Sequence, residues 1–127
     1  MQQYRIEKRS FKFQLYNQRH AIYDAVMKFV SSVVIAGQVN NEDLNTFMKE
    51  TRDCNFFFNE EVTNYIDSLY KKAIKLIRND KMIASGKVKD AKHEELCNES
   101  FVIQSWFSDQ YPHIKNLFQD YLNFTKL

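Results

Sequence analysis

The sequence predicts an all-α fold, a compact bundle of four to five helices in a single domain spanning 1-127, led by a long N-terminal helix. Three observations carry that prediction. The 127 residues include only two glycines and one proline, too few breakers for the hairpin turns of a sheet. Apolar residues recur at three- and four-residue steps, the period of one helical face. The segments separated by Gly37, Gly86 and Pro112 are long and uninterrupted. A chain of this length supports one hydrophobic core.

The first helix is expected from about Gln3 to Ala36. Phe11, Leu15, Ile22, Val26, Phe29, Val33 and Ala36 form its main apolar stripe, and Tyr16, Tyr23, Val30 and Val34 form a second one beside it. Gly37 suits the C-terminal cap. Asn40 or Asn41 is the expected N-cap of a short second helix, with Glu42 and Asp43 favoured by the dipole of its first turn. Leu44, Phe47 and Met48 give it a narrow apolar edge, and its end is expected near Asp53 or Cys54.

Asn59 followed by Glu60 and Glu61 marks a third start, with Val62, Ile66, Leu69, Ala73 and Leu76 or Ile77 on one face. Phe56, Phe57 and Phe58 therefore fall in a connector. Consecutive side chains at a junction point in different directions, so each phenylalanine is expected to plug a separate gap, the alternative being an exposed aromatic docking site. Arg52 and Asp53, just ahead of them, are expected to form a buried or half-buried polar tether across the bundle, the alternative being a ligand-binding Arg52. A fourth helix from Asp90 carries Leu96, Ile103, Trp106 and Phe107. Pro112 implies a kink or restart capped by Ser108 or Asp109, because proline fits only a first helical turn.

Net charge is +2, so no overall field marks a nucleic-acid partner. A basic run from Lys71 to Lys89 is interrupted by Asp80 and reads as a solvated helix end. Cys54 and Cys97 are the only cysteines. Their distance in sequence fits free thiols in a reducing compartment and a cytoplasmic location. The most apolar run, Ala25 to Ala36, is broken by Lys28, Ser31 and Ser32, and is too short to span a bilayer.

Site chemistry is sparse. His93 follows Asp90 by three residues, the half-motif of di-iron bundles, but neither His20 nor His113 repeats it. His93 and Cys97 at i, i+4 offer two zinc ligands, and two more are missing. Phosphate loops and nucleophile elbows need glycines that this chain lacks. No catalytic residue, cofactor or metal is therefore expected, and the protein reads as a non-enzyme.

Three segments together resemble an uncharacterised bacterial family of small helical proteins: FQLYNQRHAIYDAVMKFV (13–30), TRDCNFFFNEEVTNYIDSLYKKAIKL (51–76) and WFSDQYPHIKNLFQDYL (106–122). The family pattern is a Leu-Tyr/Phe-x-x-Arg-x-x-x-Tyr helix, Thr-Arg-Asp before an aromatic corner, and a late Trp-Phe. The resemblance implies no activity. Many such proteins carry one N-terminal membrane anchor, and this chain departs from them in starting at Met1 without it. The expectation is a removed anchor or a soluble version. In that setting Arg5, Lys8, Arg9 and Lys12 would be juxtamembrane cations at the inner face of a membrane.

The expected function is that of a helical protein-interaction module that binds another protein, with a second copy of itself as one such partner. The alternatives are a membrane-proximal domain touching anionic lipid and a small inhibitor or adaptor from a mobile element. The long first helix is expected to outrun its shorter partners, leaving Phe11, Phe13 and Tyr16 as one exposed apolar patch that a second copy covers.

Overall fold

Gly37 and Gly86 end two helices, with φ of +68° and +69°, the left-handed region where only glycine is unstrained. The structure, a computed structural model, describes residues 2–123, with side chains from Glu7 onward. Among these residues the order is α1 (Gln2–Ala36), α2 (Asn41–Thr51), a 3-10 turn (Cys54–Phe56), α3 (Glu60–Ala84), α4 (Asp90–Ser108) and α5 (Gln110–Phe118). The bundle expected from periodicity is the bundle observed.

The starts follow the side-chain chemistry. Asn40 Oδ1 accepts from the backbone N–H groups of Glu42 and Asp43 at 2.7 and 3.4 Å, and Asn59 Oδ1 accepts from Val62 N–H at 3.4 Å. These are N-caps that satisfy donors otherwise left without a partner. Helix α4 has no side-chain cap, and Asp90 at its start has φ 59°, a conformation aspartate tolerates better than most residues. Asp109 separates α4 from α5, and Pro112 occupies the first turn of α5.

Helix α2 stops earlier than the sequence suggests. Thr51 Oγ1 donates to the Phe47 carbonyl at 2.7 Å. Phe57 and Phe58 N–H then both donate to the Cys54 carbonyl, at 3.1 and 3.0 Å. The chain tightens into a 3-10 turn instead of extending the α-helix.

Helix α1 packs on α2, α4 and α5, while α3 packs on α4 and α2. Phe29 joins three of them: it stacks on Phe47 of α2 at 4.5 Å and meets Phe107 of α4 edge-on at 6.1 Å. Only the C-terminal half of α1 is covered this way. Ile22 is its first residue in the buried core, whereas Phe11 is 66% exposed. Thirty-five residues make a rod of about 50 Å, so the N-terminal half projects past the core.

Polar contacts fix the α3 interfaces. Lys75 Nζ meets Glu99 Oε1 at 2.7 Å across α3 and α4, and this hydrogen bond leads in holding the Glu99 carboxyl below its ordinary range. Ser100 Oγ donates to Asp80 Oδ1 at 3.2 Å. Tyr65 OH donates to Gln110 Oε1 at 2.7 Å, and Gln110 Nε2 donates to the Trp106 carbonyl at 2.9 Å. This relay clamps α3 to the α4–α5 junction.

Burial pushes the Tyr65 phenol well above its ordinary value of 10.0. Above pH 10 the unfolded chain releases this proton and the folded chain retains it, so the folded state loses stability as pH rises. Tyr65→Phe is expected to flatten that alkaline limb. It should also cost about 1–3 kcal/mol at neutral pH by leaving Gln110 Oε1 without its donor. Urea midpoints of the two chains compared between neutral and alkaline pH check both effects, and parallel curves would refute the linkage.

Candidate interaction surface

The corner between α2 and α3 is organised by a residue of α1. Arg19 Nε donates to the Phe57 carbonyl at 2.8 Å, and its guanidinium lies over the rings of Phe58 and Tyr121, at 5.8 and 5.1 Å from their centroids. Burial lowers the pKa of Arg19 and the charge of Tyr121 raises it. Phe58 is 8% exposed and meets Phe118 and Tyr121 edge-on at 5.2 and 5.0 Å. A cation wedged between aromatic faces and tied to a backbone carbonyl holds α1, the corner and the chain after α5 together.

This geometry corrects two expectations. Phe58 is a plug and Phe57 is half-buried, but Phe56 is 75% exposed. The 3-10 turn spans Cys54–Phe56, and its side chains fan out by roughly 120° per residue, so with Cys54 buried Phe56 faces away from the core. Phe57 and Phe58 lie beyond the turn, where the chain bends back to the bundle. The second correction concerns Arg52 and Asp53. Their side chains are 76% and 55% exposed and 3.6 Å apart, a surface pair of little energetic weight. Arg19 is the tether instead.

The projecting patch is also rearranged. Phe11 and Phe13 are both well exposed, but two residues subtend about 200° on a helix, so they share no face. Tyr16 is half-buried, with its ring 5.7 Å from that of His20. Phe11 and Leu15 continue the core stripe of α1 beyond the core. With Phe56 and Phe57 they line an open groove rimmed by Gln14, Asn17 and Gln18. Phe13 and Tyr16 are outside it.

Lys8 and Arg9 are exposed and Lys12 is half-buried. The side chain of Arg5 lies outside the described residues. Among the described residues no helix is long and apolar enough to cross a membrane, and no three potential ligands gather around a metal position.

No known protein family, curated protein or solved structure matches this chain.

The groove is therefore defined by its own chemistry. Among the described residues its lining is aromatic, aliphatic and amide. Such a lining can take up apolar side chains and hydrogen-bond their backbone. Sequence reasoning missed Arg19 as a site residue. The available signal was its register: a cation one turn after Leu15, on the face that α1 turns to the core.

Proposed function

We propose that this protein is a non-enzymatic helical interaction module and that its groove binds the same groove of a second copy. The observation that carries this reading is the side-by-side exposure of Phe11 and Phe56, 66% and 75%, on one groove with half-buried Phe57. A two-fold pairing is self-complementary, since each copy inserts the phenylalanine that the other lacks a cover for. The amide rim lets the copies approach without stripping water from a charge.

Light scattering during gel filtration tests the proposal. The unmodified chain is expected near 30 kDa, twice the 15.2 kDa of one chain. Phe11→Glu and Phe56→Glu are each expected to give a monomer with unchanged helicity, and Phe13→Glu to leave the dimer intact. A monomer at every concentration of the unmodified chain would overturn self-association. If that monomer sediments with anionic but not neutral vesicles at low salt, Lys8, Arg9 and Lys12 face lipid instead.

A further inference from the structure

His93 and Cys97 stand one turn apart on α4, with Nδ1 and Sγ 3.8 Å from each other. Zinc binds histidine nitrogen at about 2.1 Å and thiolate sulfur at about 2.3 Å, which places two ligands of one tetrahedral ion roughly 3.6 Å apart. The pair is thus already spaced as two neighbouring corners of a zinc tetrahedron. His93 is exposed and Cys97 half-buried, so an ion reaches both from solvent. Imidazole and thiolate together favour zinc over calcium or magnesium, which take oxygen ligands.

One chain supplies two ligands and no more: among the described residues no third histidine, cysteine or carboxylate joins them. We propose that His93 and Cys97 are half of a zinc site whose other half is the same pair from a second copy. Charge favours this over completion by water. Each thiol loses one proton on binding, so two thiolates balance the two positive charges of the ion, whereas one would leave the ion with a net positive charge. The neighbouring surface agrees. Phe101, one turn beyond Cys97, is 68% exposed, apolar area that a second α4 would cover. Coordination through Nδ1 leaves the ring proton on Nε2 of an exposed imidazole.

This face is separate from the groove, so the test uses the Phe11→Glu chain, in which groove pairing is removed. Cobalt(II) stands in for zinc as a visible probe. The expected result is intense tetrahedral absorption with a thiolate-to-cobalt charge-transfer band, saturating at one metal per two chains. Zinc should double the mass measured by light scattering. Cys97→Ser and His93→Ala, both near the surface, should lose the band and the mass change while keeping their far-ultraviolet circular dichroism. Weak octahedral absorption would overturn the site, as would a band that survives Cys97→Ser. Saturation at one metal per chain without a mass change would overturn the shared tetrahedron.

Discussion

Phe58→Ala is expected to lower the unfolding free energy by about 3–5 kcal/mol, while Phe56→Ala, two residues earlier, changes it by less than about 0.5 kcal/mol. The two phenylalanines differ only in placement. Phe58 is 8% exposed and touches Phe118, Tyr121 and the Arg19 guanidinium. Its removal leaves a cavity that three separate elements would have to shift to close. Phe56 is 75% exposed on the single chain, so with both variants made in the Phe11→Glu background, where groove pairing is absent, its removal leaves only solvent. Urea denaturation of both variants decides the matter. Equal losses would mean that the corner is packed differently, and a marginal domain could unfold altogether in the Phe58 variant.

Arg19→Ala should cost about 2–3 kcal/mol. A charge-assisted hydrogen bond to the Phe57 carbonyl contributes roughly 1.5–3 kcal/mol, and the contacts with two rings add roughly 0.5–1 kcal/mol each, with overlap between them because all act through one group. The alanine variant also leaves a carbonyl without its donor. Arg19→Lys should recover only part of the loss, since an ammonium cannot lie flat between two rings while donating through a fixed Nε. Hydrogen exchange would add a spatial signature: amides of α1 before Arg19, already outside the core, should exchange faster still in the alanine variant. An Arg19→Ala midpoint indistinguishable from the parent would show that the tether carries no weight.

The helices were legible because each carries its own punctuation. Asn40 and Asn59 as caps and Gly37 and Gly86 as stops all act within a turn of their own position, whereas Asp109 precedes α5 without the side-chain cap bond expected of it. The corner was legible only in part. That a run of three phenylalanines lies between two helices follows from Asn59; which of them faces inward depends on where the 3-10 turn begins. That in turn depends on the Thr51 and Cys54 hydrogen bonds. The tether was hidden for a related reason. Arg52 and Asp53 are adjacent in sequence and invite pairing, whereas Arg19 reaches a carbonyl 38 residues away, a relation that local patterning does not encode. The split between Phe11 and Phe13 was available from helical geometry alone, since residues two apart face opposite ways.

Trp106 is the sole tryptophan, half-buried where α3 meets α4. Its indole lies edge-on to Phe107 at 5.2 Å, with Lys72 Nζ 5.4 Å from the ring centroid. The molecule thus carries one indole fluorophore, placed at the α3–α4 interface and not among the residues lining the groove on α1. Separating α3 from α4 would remove the ammonium and wet the ring, moving the emission to longer wavelength. Loosening the Arg19 corner would leave that colour unchanged while ellipticity falls. Two optical signals from one unlabelled sample therefore tell apart separation of α3 from α4 and loosening of the Arg19 corner.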